Sequence, residues 1–547
     1  MKKATWQRVA AAVLMAVMLL GVAGCSKGGD GDVIQFTMFG AMPQPEINDD
    51  NEIMNLIAEK VGAKVKETWL TGQTAAEAIG TIIAGGDYPD FIDGGEAMMA
   101  LYDEGVLVPW DDYLEKYPNL KALFTDEEWD ALRQDDGKIY WANQFQNNYG
   151  ENRATTHNDE AFWIQVRVLE WAGYPEINTL DEYYDVLTRY AEANPTMADG
   201  TKVIPYTMLC DDWRYFCIEN APQFLDGYPN DGSVIVDKEN LKIVDYNTTP
   251  TAKRYFTKLN EEYKKGTIDI EFATQTYDEY IAKLSTGAVL GMCDQWWDFY
   301  GTVNDTFKQQ GLDLLGCNYV PLGLTIDEGM DNRWHTYGDT LNVSSGIAVT
   351  TSCKDPDAAF KFMNDILDQE IHDLRFWGIK DVDYLVDEDG MFYKTPEMRM
   401  QWADKSYQAS HRCLYAYFPQ WRGTSRDGKN AMMPEEQTSE FFSDLAEPLR
   451  KCFEAYGANN YPDMIGSVVE ENAPWFPMYS YSNAMTTATP GGVAWTKMGE
   501  VKHEWLPRIV MADDFEAAWE QYMAAYNAVN PQDFLSEMQE ELDRRAS

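Results

Sequence analysis

Short apolar runs and helical repeats alternate along the first hundred positions after residue 32. Val33 to Gly40 (VIQFTMFG) reads as an apolar strand. Asn48 to Asn51 then offers N-cap residues for a helix whose Ile53, Leu56, Ile57 and Val61 recur at helical spacing, and Gly62 ends it. Ala63 to Trp69 predicts a second strand. A helix rich in alanine and isoleucine is predicted over Thr74 to Ala84, stopped by Gly85-Gly86, and a third strand begins at Phe91-Ile92 after Pro89. Strand, helix, strand, helix, strand at this spacing predicts a mostly parallel sheet with helices on both faces.

The pattern before residue 33 is of another kind. Lys2, Lys3 and Arg8 precede an apolar run from Val9 to Leu20, and Val22-Ala23-Gly24-Cys25 closes it. A charged start, a short apolar stretch and small residues before a cysteine make a secretory leader of the lipobox type. Cys25 is therefore the expected first residue of the mature chain, with lipid on its thiol, and residues 1–24 are left out of the fold. Residues 25–32, with their glycines and small charges, predict a flexible tether. No later stretch has the roughly 18 uninterrupted apolar residues of a spanning helix. The expected place is the extracellular face of the cell membrane, held by the lipid anchor alone.

Length and charge narrow the class. The chain of 547 residues is too long for one core, which stops growing near roughly 250 to 300 residues, so two lobes are expected. Without the leader, 41 basic residues stand against 90 acidic ones, a net charge of -49. Such a field repels nucleic acid and anionic lipid and favours a soluble monomer. After Cys25 seven cysteines remain, so at least one is unpaired; a local Cys210–Cys217 bridge and buried thiols are both open readings.

Motif order then carries a resemblance. Gly85-Gly86-Asp87-Tyr88-Pro89-Asp90-Phe91-Ile92, Glu104 to Trp110 (EGVLVPW) and Gly137-Lys138-Ile139-Tyr140 are followed by Ala172-Gly173-Tyr174-Pro175 and Thr179 to Tyr183. Gly346 to Val349, Lys354 to Ala359 (KDPDAA) and Leu506 to Ala512 (LPRIVMA) continue the series. In this order they resemble the family 1 extracellular solute-binding proteins, the receptors of carbohydrate-uptake ABC transporters. The resemblance implies an α/β, two-lobed periplasmic-binding-protein-like fold (type II), each lobe a mostly parallel sheet flanked by helices. It implies a solute, expected to be an oligosaccharide, and permease subunits with a cytoplasmic ATPase as partners. No cofactor and no metal are expected.

Polar stretches predict the crossings between lobes. Trp141 to His157 is poor in aliphatics and reads as the first crossing, and Asp339 to Ser345 as the return before the buried run Gly346 to Val349. A third crossing is expected after Phe392. Lobe 1 is thus expected over 33–142 and about 343–392, and lobe 2 over 143–342 and about 393–547. Helices around Trp163 to Gly173, Leu180 to Ala193 and Ala252 to Lys265, with a hairpin near Asp226 to Asp245, belong to lobe 2.

The candidate site follows from strand ends and aromatics. Open αβ sheets take ligands at the carboxyl ends of their strands, so Phe39, Gln44 and Glu96 are expected at the cleft. Sugars suit aromatic faces beside a few polar groups, and the chain holds 18 tryptophans and 32 tyrosines. The strand predicted over Gly287 to Met292 ends in Asp294, Gln295, Trp296 and Trp297, and the resemblance places a ligand-stacking aromatic there. One of the two tryptophans should face the cleft and the other the core. Trp141, Asn143, Trp213, Trp334, Tyr337 and Trp377 are further ligand candidates, each with a packing role as its alternative.

Catalytic patterns are weak. The histidines at 157, 335, 372, 411 and 503 are scattered, with no HExxH, GxSxG or Walker A sequence. Ninety acids leave a surface glycoside hydrolase as an enzymatic alternative, since any two of them could be its carboxylate pair. A receptor of the same fold for a peptide or other solute is the second alternative. The acidic run Asp381 to Gly390 departs from the EF-hand order and reads as a hairpin turn at Asp389-Gly390.

Overall fold

The computed structural model describes residues 33–145, 147–151, 153–229, 234–337, 341–466, 468–483 and 485–547. The leader, the tether and Cys25 lie outside the described residues. Among those described, no helix is long and apolar enough to cross a membrane.

The first lobe is built as the periodicity predicts. Strand β1 (Ile34–Gly40) leads to helix α1 (Glu52–Val61), strand β2 (Ala63–Trp69), helix α2 (Ala75–Gly85) and strand β3 (Phe91–Asp93). Asn51 caps α1 by accepting from the Met54 amide, and Gly62 ends it at φ 78. Thr74 and Glu77 close a capping box on α2. β1 pairs in parallel with both β2 and β3. The short strand β4 (Trp141–Ala142) completes this lobe's outward run.

The second lobe starts with strand β5 (Glu160–Gln165), so Trp163 lies on a strand and its helix begins only at Val166. A run of polar crossing residues hides that strand from a helical-period reading. Helices α3 (Leu180–Ala193), α4 (Pro250–Lys265) and α5 (Tyr277–Ser285) follow. Then come strand β6 (Gly291–Gln295), helix α6 (Trp296–Gln310) and strand β7 (Tyr319–Leu322). The expected hairpin forms between Ile235–Asp237 and Lys242–Val244.

Both sheets share one construction. Strand β8 (Ile347–Val349), entering after the return crossing, lies antiparallel between β3 and β4, giving the order β2-β1-β3-β8-β4. β5, entering after the first crossing, lies antiparallel between β6 and β7. In each lobe the strand that arrives from the other lobe is inserted between two mutually parallel ones. A mostly parallel sheet therefore describes lobe 1, while the three-stranded sheet of lobe 2 is antiparallel at both pairings, because a strand fed in from outside is not bound by the βαβ crossover rule.

After β8, helix α7 (Pro356–Asp365) packs on the first core. The third crossing comes later than the sequence predicts. Cys413, Tyr415, Tyr417, Phe418, Trp421, Met432 and Met433 pack into the first core with Phe36, Phe91 and Phe362. Phe441 is the next buried apolar residue in the second core. The turn at Asp389-Gly390 joins Leu385–Val386 to Phe392–Tyr393 and exits nothing. Three helices, α8 (Pro490–Met511), α9 (Phe515–Ala528) and α10 (Pro531–Ala546), close the second lobe, and Asn260 of α4 donates to the carbonyls of Ile509, Val510 and Ala512. All seven cysteines from Cys210 to Cys452 are free and buried, which removes the Cys210–Cys217 bridge.

Candidate functional site

On the second lobe the site is built at the end of β6. Gly291 starts that strand because a Cβ there would collide with the Tyr183 hydroxyl and the Trp163 carbonyl. The strand runs directly into α6, so consecutive residues turn to different sides. Trp296 lies flat on Tyr300, with centroids 3.3 Å apart, and meets Tyr461 edge-on at 4.5 Å. Trp297 is 43% exposed. Its ring lies 14° from parallel to Trp213 at 5.7 Å, and its Nε1 donates to Gln295 Oε1 at 2.5 Å. The two indoles form an open aromatic shelf. Trp213 reaches it from a helical turn entered through Asp212, whose φ of 51 is a left-handed conformation.

Behind the shelf sits a buried charged pair. Arg214 Nε donates to Asp298 Oδ1 at 2.9 Å, with the guanidinium 4.0 Å above the Tyr277 ring and 4.4 Å from Trp213. Arg214 Nη2 and Asp298 Oδ2 are both buried and have no partner in the protein. Burial raises the Asp298 carboxyl although Arg214 pulls it down. Asp294, on the end of β6, is fully enclosed: Tyr280 donates to Oδ2 at 2.6 Å, the Gln295 amide to Oδ1 at 2.7 Å, and Cys217 Sγ also to Oδ1. Burial and then Asp298 push it well above the carboxylate range. Asp294 is thus an internal brace of the strand end and not a surface contact.

The first lobe faces this shelf. Asp93, at the end of β3, accepts from the Gly95 amide and from Gln144 Nε2, both at 2.9 Å, and burial raises its carboxyl. Glu96 is open to solvent yet surrounded by protein on most sides, as in a cleft; burial and then Asp212 raise it, and Arg214 lowers it. Those two neighbours belong to the opposite lobe. Tyr417 sits edge-on between Trp69 at 5.1 Å and Phe145 at 5.3 Å. Burial raises its hydroxyl, Asp93 and Asp298 add to this, and Gln44 and Arg214 oppose it. Phe145 is 40% exposed. Of the predicted residues, Glu96, Gln44, Trp213 and Trp297 are thereby brought to one interlobe cleft, while Phe39 is half-buried at the end of β1.

Several predicted residues go elsewhere. Trp141, Trp334 and Trp377 are buried in the interior, each donating its Nε1 to a backbone carbonyl, of Val343, Leu324 and Ala431 respectively. Each is core, because a tryptophan whose one polar atom is satisfied indoors gains by burying the rest. Asn143 is buried too, with Oδ1 accepting from the Phe145 amide, so it shapes the first crossing. Tyr337 lies in the strand Thr336–Tyr337 paired with Val469–Glu470. Tyr417, Phe145, Gln144 and the Arg214–Asp298 pair are missed by sequence reading. Asp298 alone left a signal, standing four residues after Asp294 and directly after the tryptophan pair.

The acidic run also has local duties. Asp387 Oδ1 accepts from the Asp389 and Met391 amides, and Asp383 is engaged by His411 and Tyr407.

No family model matches the chain, and no curated protein matches it in sequence. Solved structures do share its fold. The alginate-binding protein AlgQ2, in a form without calcium ion, aligns over 94% of this chain and 99% of its own at 15% identity and a TM-score of 0.63. The Streptococcus pneumoniae ABC-transporter substrate-binding protein FusA, an EF-hand mutant in complex with fructo-nystose, aligns over 93% and 99% at 18% identity and a TM-score of 0.65. A human-milk-oligosaccharide-binding solute-binding protein from Bifidobacterium longum infantis aligns over 94% and 99% at 13% identity and a TM-score of 0.59. The chain therefore has the two-lobed α/β fold of substrate-binding proteins.

Proposed function

We propose that the protein is the solute-binding receptor of an ABC importer and that it holds an oligosaccharide between its lobes. The observation that carries this reading is the open Trp213–Trp297 shelf facing Tyr417, Phe145 and Glu96 across the cleft. Ring faces of this kind cover the C–H side of a sugar, and the polar atoms around them meet its hydroxyl edge. The likeness in fold to proteins described as binding alginate, fructo-nystose and milk oligosaccharides supports the same reading. A ligand that touches both lobes favours the closed arrangement by its differential affinity, and release lets the lobes part. Cys25 tethers the receptor at the outer face of the membrane, within reach of permease subunits that are driven by a cytoplasmic ATPase. No covalent chemistry belongs to this function.

A thermal-shift screen of oligosaccharides and peptides tests it. A ligand at 100 times its dissociation constant stabilises the fold by about 2.7 kcal/mol. A shift with oligosaccharides is expected; a shift with peptides alone would overturn the assignment. Hydrolysis of a glycoside, lost on replacing one pair of cleft carboxyls, would point to an enzyme instead.

A further inference from the structure

We infer that Gln295 is the positioning residue of the sugar-binding shelf: its side-chain oxygen holds the Trp297 indole beside Trp213, and the affinity of the receptor depends on that bond. This rests on the receptor reading above and deepens it.

Gln295 stands where local chemistry favours another residue. It is the last residue of β6 and the N-cap of α6, with an extended backbone at φ -96 and ψ 141. Ser, Thr, Asp and Asn are preferred at an N-cap because a short side chain reaches the free amides of the first turn. Helices α2, α3 and α5 each have threonine there, closing a capping box. Gln295 makes no capping bond. Its longer side chain reaches past the amides to the second helical residue, where Trp297 Nε1 donates to Oε1 at 2.5 Å. An indole N–H can only donate, so the amide oxygen is the atom that faces it. Among the described residues this is the one hydrogen bond of the Gln295 side chain. A local rule is broken in favour of a contact that orients an exposed ring, which marks a functional position.

The holder is itself fixed. The Gln295 amide donates to Asp294 Oδ1 at 2.7 Å, and the Asp294 carbonyl accepts from Nε1 of the fully buried Trp163 at 2.8 Å. Gln295 also stands opposite Glu160 in the pairing of β6 with β5. A line of bonds thus runs from the core to the shelf. Trp297 packs on Trp213 and, at 6.2 Å, on Phe216, and is otherwise 43% exposed. A half-open side chain of this size has several rotamers to choose from, and freezing it when a ligand arrives costs affinity. The bond to Gln295 removes that cost in advance. With its N–H already satisfied, the indole offers a ligand its ring face.

The test reads the bond and the affinity separately. In ligand-free protein carrying isotope-labelled tryptophan, the Trp297 indole N–H resonance, identified by its absence from Trp297→Ala, is expected to be shifted downfield and slow to exchange. Gln295→Ser is expected to move it to the position of a free indole, whereas Gln295→Glu, which keeps an oxygen at the same reach, is expected to leave it bonded. An unmoved resonance in Gln295→Ser overturns the inference. Calorimetry then uses three neutral tetrasaccharides, nystose, maltotetraose and tetra-N-acetylchitotetraose. Gln295→Ser is expected to bind roughly two- to tenfold more weakly. Its urea midpoint is expected at or above that of the parent, because serine caps α6. Gln295→Glu is expected to recover most of the lost affinity. Adding Gln295→Ser to Trp297→Ala is expected to cost no further affinity, since the ring to be held is gone. Unchanged affinity in Gln295→Ser, or a full second loss in the double variant, overturns the positioning role. Should no oligosaccharide bind at all, the receptor reading falls and the link to affinity with it, while the resonance in the ligand-free protein still decides whether Gln295 holds the ring.

Discussion

Trp213 and Trp297 lie 84 positions apart in the chain, yet their rings stack within 14° of parallel at 5.7 Å on the wall of the interlobe cleft. Trp296, next in sequence to Trp297, turns inward onto Tyr300 and Tyr461. Two adjacent residues of the same type therefore carry different duties. Trp297→Ala is expected to weaken oligosaccharide binding roughly three- to tenfold, the value of one aromatic stacking contact, with little change in the urea midpoint. Trp296→Ala is expected to lose about 3 kcal/mol of stability by emptying a packed site. Calorimetry and urea titration of both variants check this; equal effects of the two on affinity would contradict the split.

How far the sequence reaches is visible in the same neighbourhood. Periodicity and caps place β1, α1, β2, α2 and β3 within a residue or so, since Asn51, Gly62 and Thr74 act within one turn. The strand before the tryptophan pair is legible only in part: the pattern places it over Gly287 to Met292, but it runs from Gly291 to Gln295, and Trp296 and Trp297 already belong to α6. The opposing wall is not: Tyr417 comes from far along the chain, and nothing in Tyr415 to Trp421 marks which of these buried rings packs beside the exposed Phe145 and which lie deeper in the core. Trp141, Trp334 and Trp377 have the composition of a binding residue but bury every face, because a carbonyl satisfies each Nε1. Burial is set by long-range packing that local pattern does not carry. The crossing after Met433 was obscured in the same way, by a hairpin that looks like an exit and returns to its own core.

The Arg214–Asp298 pair should behave as one unit. Both side chains are buried, so Arg214→Met leaves an acid without its partner and is expected to cost about 3 kcal/mol. Adding Asp298→Leu removes the stranded carboxyl and is expected to recover a large part of that loss. A double-mutant cycle by urea unfolding reads the coupling, expected at about 1 to 3 kcal/mol. Additive losses would mean that the pair contributes nothing as a pair.

Gly346 and Gly499 make a paired prediction of opposite sign. At the return crossing a Cβ on Gly346 would land on the Ala142 carbonyl, between strands β4 and β8. Gly346→Ala is therefore expected to lose roughly 1 to 3 kcal/mol through overpacking. Gly499 lies within α8 with open space around the position of its missing Cβ. Gly499→Ala is expected to gain about 0.5 to 1 kcal/mol by reducing the freedom of the unfolded chain. Denaturant midpoints of the two variants measure both.

The structure brings His157 and His335, 178 positions apart, into edge-on contact at 5.4 Å, a meeting that scattered histidines in the sequence do not announce. Burial holds both imidazoles down to about 4, and for His335 the neighbouring His157 adds to it. His157 Nε2 lies 3.0 Å from the Glu160 carbonyl, which suits a neutral ring donating its proton. An unfolded histidine titrates near 6.5, so between about 6.5 and 4 the unfolded chain binds more protons than the folded one. Stability from this pair is complete above that window and is lost as pH falls through it. For the fully buried His157 the loss approaches about 3 kcal/mol at its lower end, from roughly 1.36 kcal/mol per unit. Glu160 and Asp294, raised by burial, work in the opposite sense, since their folded forms hold protons that the unfolded chain has released. The comparison that isolates the histidine is His157→Gln against the parent protein, by urea unfolding at pH 7 and pH 4.5. The variant is expected to be less stable at pH 7 and to lose markedly less on acidification. Parallel pH profiles for the two proteins would mean that His157 is already charged in the fold.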